Sequence, residues 1–261
     1  MKGKTLFFIV ALSLLSACQR QSTENPNISA IKKRGVLIVG GKHDVPKFGF
    51  KNPATGRIQG FESDLIRHLA KELLGDESKA QIVHVTAATR MGLLNNKEID
   101  FIMATMTMTE ERKKEVDFGP VYFTDALGIL APKDGPVKTL KDLNEKMVAV
   151  QKGSTGAVRI VARAKEANIQ LQTLELDNYV LCLQAVQSGR AAAMATDRSI
   201  LLGYAAQDPK MAILPDRLSS EPYAPAFRKD AADLRAWVTE SFEKLEKAGT
   251  IKNLMEKNGI S

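Results

Sequence analysis

The sequence predicts an α/β protein with largely parallel sheets, and three observations carry that prediction. Short, unbroken apolar runs rich in branched residues recur along the chain, as in VLIVG (36–40) and MVAVQ (147–151). Longer stretches between them place apolar residues at helical spacing, and strands alternating with helices are the pattern of parallel sheets. The composition, 44% hydrophobic and 26% charged over 261 residues, is that of a globular chain long enough for one or two domains.

Taken in order, the first element is a targeting signal. Lys2 and Lys4 precede the apolar run LFFIVALSLL (6–15), and Ser16-Ala17-Cys18 follows. A basic start, a short apolar core and small residues make a secretory signal over 1–17. The run is shorter than the roughly 20 residues needed to span a bilayer. LLSAC is similar to the lipobox of bacterial lipoproteins, whose cysteine is acylated, which makes Cys18 the expected lipidation site. The polar stretch 18–29 reads as a flexible tether, with the folded region starting near Ala30.

Val36–Gly40 is the first buried strand, and FKNPATGRIQGF reads as a hairpin turning at Pro53 to Gly56. Phe61, Leu65, Ile66, Leu69, Ala70 and Leu73 recur at helical spacing, with Gly75 as the stop. QIVHV, DFIMAT, LGILA, MVAVQ, IQLQTLEL and AAAMATD are further strand candidates. Leu234, Trp237, Val238, Phe242 and Leu245 share one face of a long final helix. Tracts around Thr124 to Pro132 and Leu214 to Pro222 suit crossings between two lobes. The lobes would be residues 30–126 plus 220–261, and 127–219.

Charge and cysteine content exclude more than they select. There are 37 basic and 30 acidic residues, a net +7 that falls to +5 without Lys2 and Lys4. No block of like charge suggests a nucleic-acid arm, so no nucleic-acid partner is expected. Beyond Cys18 the one cysteine is Cys182, inside YVLCLQAV, so no internal disulfide is expected and the thiol reads as a buried helix residue. His43, His68 and His84 show no metal-ligand spacing, no nucleophile–base pair is readable, and GSTG is not a G-x-S-x-G elbow. Neither a metal, a cofactor nor a catalytic residue is expected.

GFESDLIRHLAKEL, IDFIMATMTMTEERKKEVDF, LKDLNEKMVAVQKGSTGAV and SGRAAAMATDRSILL follow one another in the order and spacing of a known family. In this combination the chain resembles the bacterial extracellular solute-binding proteins of family 3, which serve polar amino-acid ABC transporters. The resemblance covers essentially the whole chain beyond the signal. It implies the two-lobed periplasmic-binding-protein fold of type II, with two hinge crossings and lobes that close on one ligand.

Site roles follow from the matched positions. Arg112 of TMTMTEER is expected to grip the ligand α-carboxylate, since a guanidinium matches a carboxylate bidentately. Thr107 would donate its hydroxyl, and the Thr105 backbone would take part. Thr155, at the start of the helix after MVAVQ, would add a contact from the second lobe, where helix N-termini favour anions. Asp197 is expected to take the α-ammonium, and Tyr223 keeps an aromatic beside the pocket. GGKHDVPKFGF and TAATRMGLLNN are similar to the aspartate/glutamate-binding subgroup, which adds Lys42 and Arg90 for a side-chain carboxylate. Three cations and one anion would complement glutamate or aspartate.

The function these expectations compose is a lipid-anchored, extracytoplasmic, monomeric receptor that passes an amino acid to an ABC permease. A ligand sensor that reports to a receptor, or a dehydratase on the same fold, are the alternatives.

Overall fold

A computed structural model of the chain describes residues 25–260. The signal sequence, Cys18 and most of the tether lie outside the described residues. Among those described, no helix is long and apolar enough to cross a membrane. The folded region begins earlier than the sequence suggests, because α1 (Pro26–Arg34) already includes the end of the expected tether. Its anchor is remote: the Asp233 carboxylate accepts from the backbone N–H of Asn27 and Ile28 at 2.9 and 3.2 Å. Ile28 and Ile31 are buried on the same helix.

The first lobe is built on β1 (Leu37–Gly41). A small antiparallel sheet follows from β2 (Asp44–Val45), β3 (Gly49–Lys51) and β4 (Ile58–Gln59), with its turn where the sequence places it. α2 (Phe61–Leu74) buries Phe61, Leu65, Ile66, Leu69 and Ala70 and stops at a left-handed Gly75. The chain continues through β5 (Ala80–His84), α3 (Arg90–Asn95), β6 (Phe101–Ile102), α4 (Glu110–Glu115) and β7 (Asp117–Phe118). It leaves this lobe along β8 (Phe123–Asp125).

In the second lobe come β9 (Leu127–Pro132), β10 (Lys146–Gln151), α5 (Thr155–Glu166), β11 (Leu171–Leu176), α6 (Tyr179–Gln187), β12 (Ala193–Asp197), α7 (Arg198–Ala205) and β13 (Met211–Ile213). β14 (Glu221–Tyr223) pairs antiparallel with β8, so the two crossings form one ribbon. β15 (Ala226–Phe227), α8 (Ala232–Lys247) and α9 (Thr250–Lys257) then complete the first lobe.

Each lobe holds a five-stranded sheet, in the orders β5-β1-β6-β15-β7 and β11-β10-β12-β9-β13. The sheets are mixed and less uniformly parallel than the sequence suggests. β1 runs parallel to β5 and β6, and β10 to β11 and β12. β15 and β9, the strands next to the crossings, are antiparallel to theirs. In both sheets the carboxyl ends of the parallel strands carry the loops that face the other lobe, where α/β sheets place ligands.

The lobes also touch beside the loop that follows β1. The Tyr204 hydroxyl of α7 donates to the Asp44 carbonyl of β2, and Gly203 abuts Pro46. A Cβ at Gly203 would lie 2.7 Å from Pro46 Cβ, too close for close-packed side chains. Gly203→Ala is therefore expected to hold the lobes apart, read as a longer distance between spin labels on α2 and α5. Because alanine favours a helix interior by roughly 1 kcal/mol over glycine, the melting temperature should not fall. An unchanged distance distribution would mean that α7 slides to make room.

Candidate functional site

Between the sheets lies a narrow cavity lined among others by Lys42, Arg90, Thr105, Thr155, Tyr179 and Asp197. Five of the eight residues singled out from the sequence therefore line one cavity. The other three back it. Thr107 Oγ1 lies 3.4 Å from Thr155 Oγ1 across the lobes, and Arg112 Nη1 donates to the Thr107 carbonyl at 2.7 Å. The Tyr223 hydroxyl donates to Asp197 Oδ2 at 2.5 Å.

The sequence places each side chain by local rules. Thr109 caps α4 by accepting the Arg112 N–H at 3.2 Å, which turns the single arginine of the acidic stretch inward. Lys113 and Lys114 pair instead with Glu110 and Glu111 on the exposed side. Ser154, not Thr155, caps α5, accepting the Ala157 N–H at 3.2 Å. That leaves the Thr155 hydroxyl at the first helical turn facing the cavity. Asp197 occupies the cap position of α7 without capping it. Asp125 of the crossing ribbon does so instead, taking the Ser199 N–H at 3.0 Å, and so frees Asp197. Arg90 pairs with neither Glu98 nor Asp100; Asp100 is engaged by Arg34 at 2.5 Å.

Burial makes the site electrostatically tense. Desolvation first, then the neighbouring Asp125, pushes the Asp197 carboxyl up to about 8. Burial and the Arg112 guanidinium lower Arg90 to about 9, and burial lowers Arg112 as well. Arg90 Nε and Asp197 Oδ1 are buried without a protein partner. Such orphans of opposite charge at one cavity suit a small ligand with an anionic and a cationic end.

Two carboxylates change the charge count taken from the sequence. Asp44 Oδ1 pairs with Lys42 Nζ at 3.1 Å, and that ammonium stands 5.0 Å from the centre of the Tyr179 ring. Burial raises Glu62, whose Oε1 accepts the Thr105 N–H at 2.7 Å, to about 7. Lys42, Arg90 and Arg112 are thus met by Asp44, Glu62 and Asp197, with Asp125 behind Asp197, so the cations face several carboxylates and not one. Asp44 and Tyr179 carried no signal, since they read as a turn acid and a core aromatic. Glu62 lay in GFESDL, where it passes for an ordinary first-turn acid.

Among the described residues no group of three or more His, Cys, Asp or Glu could hold a metal ion, and Cys182 is buried.

Comparison with known proteins agrees with the fold. Over 197 residues the chain is 47% identical to a glutamine-binding protein of Geobacillus stearothermophilus, covering 75% of this chain and 74% of the relative. It is 37% identical over 262 residues to an ABC transporter glutamine-binding protein of Bacillus subtilis, covering 97% and 94%. The structure of a solute receptor for L-cysteine from Neisseria gonorrhoeae superposes with a TM-score of 0.82 at 32% identity, covering 88% and 92%. A glutamate/aspartate import protein of Escherichia coli is 24% identical, so relatives of that name stand further off than GGKHDVPKFGF and TAATRMGLLNN imply. The family model for bacterial extracellular solute-binding proteins, family 3, matches residues 37–259, and the chain belongs to that family of amino-acid receptors for ABC transporters.

Proposed function

We propose that the protein is a lipid-anchored receptor on the outer side of the cytoplasmic membrane, and that it captures L-glutamine between its lobes for an ABC permease. The observation that carries the choice of ligand is the charge balance. With Asp44 and Glu62 set against Lys42 and Arg90, the pocket complements a zwitterion with a neutral, polar side chain. A second carboxylate on the ligand would leave one negative charge buried and uncompensated, at a cost of several kcal/mol. The relatives named for glutamine support the same reading. Glutamate or aspartate, which the sequence favours, is the competing ligand. Anchoring through Cys18 rests on the lipobox alone.

In this reading Arg112 and Thr107 hold the α-carboxylate from the first lobe, with the Thr105 backbone beside them. Thr155 and Asp197 meet the same amino-acid head from the second lobe, and Tyr223 orients Asp197. Arg90 and Lys42 face the side-chain amide. The ligand favours the closed lobes because its two ends bond to opposite lobes, which is the differential contact that closure needs. A micromolar dissociation constant corresponds to about −8 kcal/mol, and a few charge-assisted bonds at roughly 1.5–3 kcal/mol each supply it after the costs of association. The role is transport and not catalysis, with a sensor that presents the same ligand to a receptor as the other use of the site. A thermal-shift series over the L-amino acids tests the ligand: glutamine should give the largest rise in melting temperature, and no response to any of them would overturn the proposal.

The site also sets a pH dependence. An ammonium is accepted by ionised Asp197, whose carboxyl holds its proton up to about 8 in the free protein. Capture must therefore release that proton, so affinity rises with pH. Between pH 6 and 8 the dissociation constant should fall by up to about tenfold per unit and then level off. Calorimetry in buffers of different ionisation heat would report the released proton, and a flat profile would contradict this role of Asp197.

A further inference from the structure

Glu62 holds chemistry that the ligand-gripping residues leave unexplained. It is the second residue of α2, 1% exposed, and its Oε2 has no protein partner. Its Oε1 accepts from the Thr105 N–H at 2.7 Å and from the Tyr122 hydroxyl. At the other end of the same peptide, the Ala104 carbonyl accepts from Arg90 Nη1 at 3.3 Å. A carboxylate and a guanidinium thus grip one peptide, and both residues of that peptide line the cavity. Thr105 is left-handed there, with φ +44°, a conformation that a β-branched residue keeps only when its surroundings hold it.

An acid in a first helical turn usually faces water and gains a little from the helix dipole. This one is sealed inside, where a carboxylate persists only against a compensating charge. The cations acting on it are Lys42, at the end of β1, and Arg90, on α3; Tyr122 is the titratable group bonded to it. These two cations are the ones that face a ligand side chain.

We infer that Glu62 is a specificity-determining residue: its negative charge offsets the field of Lys42 and Arg90, so the pocket accepts a side-chain amide and refuses a side-chain carboxylate. The inference rests on the amino-acid reading of this site and deepens it. Removing that one charge converts a glutamine pocket toward a glutamate pocket without altering any residue that grips the amino-acid head.

The test compares calorimetric titrations of refolded wild type, Glu62→Gln and Glu62→Ala with L-glutamine and L-glutamate. Gln keeps an acceptor for the Thr105 N–H and loses the charge, whereas Ala loses both. For Glu62→Gln the preference for glutamine over glutamate should fall by at least about tenfold, since one charge acts across a short, poorly screened distance. Weakening of both ligands by the same factor would reduce Glu62 to a positioning residue and overturn the inference. Wild type that binds neither ligand would overturn the amino-acid reading itself.

A second measurement decides if Glu62→Gln fails to fold. Burial raises Glu62 to about 7, so the wild-type preference for glutamine should also fall as pH drops from 8 to 6. Asp197 acts on both ligands alike and cancels from that ratio. His43 and His84, whose tilted rings lie 5.0 Å apart, are the other titratable groups near Lys42 and Asp44, and burial lowers both below the ordinary imidazole value. His84→Gln and His43→Gln should leave the trend in place. A ratio independent of pH, or a trend lost with the histidines, would overturn the inference.

Discussion

Arg112→Ala is expected to weaken amino-acid binding by at least about 100-fold while leaving the fold intact. The guanidinium is largely buried, and one of its nitrogens is fixed on the Thr107 carbonyl at 2.7 Å, which sets the plane of the fork. A carboxylate in that fork gains two charge-assisted bonds, and leaving a buried ligand carboxylate without them costs about 3–5 kcal/mol. Arg112→Lys keeps the charge but not the fork, so it should recover only part of the loss. Stability should change little, because Thr109 caps α4 through the Arg112 backbone, which either variant retains. Calorimetry and thermal melts read the two effects separately. Binding of the alanine variant within a few-fold of wild type would remove Arg112 from the site.

Asp197→Asn should separate function from stability in the opposite sense. Losing the acceptor for the ammonium is expected to cost about 100-fold or more in affinity. The fold, in contrast, should gain. A carboxyl raised to about 8 stays protonated in the folded protein while the unfolded chain ionises near pH 4. Wild type therefore loses stability as pH rises from about 4 to 8, and retains that deficit above. Asn is neutral throughout and still accepts from the Tyr223 hydroxyl. The variant should match wild type near pH 4 and melt higher at pH 8 in the absence of ligand. Equal melting temperatures at both pH values would show that Asp197 is not the strained group described here.

How much of this was legible depended on how local each signal was. Strands such as 127–132 and 146–151 announced themselves as branched runs, and α2 by its spacing and its terminal glycine. The inward arginine of TMTMTEER could be separated from its lysine neighbours only by register against the family pattern. α1 stayed hidden because its first residues fall in the polar stretch that reads as a tether, and the acid that holds it, Asp233, is 206 positions from Asn27. Asp44 and Glu62 escaped for a related reason. Their weight in the charge balance comes from burial beside Lys42 and Arg90, which chain neighbours do not encode. The acidic-ligand expectation rested on a subgroup resemblance and on the cations it marks, and did not count Asp44 and Glu62, which it does not mark. Gly203 gave no hint either, since its meaning lies in Pro46 of the other lobe.

The most direct test of the account is a calorimetric titration of refolded wild type at pH 8 with L-glutamine and, separately, L-glutamate. Lys42, Arg90 and Arg112 set against Asp44, Glu62 and Asp197 predict micromolar or tighter binding of glutamine, with glutamate weaker by at least about 30-fold. Glutamate bound as tightly as glutamine, or more tightly, would contradict that balance and return the site to a dicarboxylate receptor.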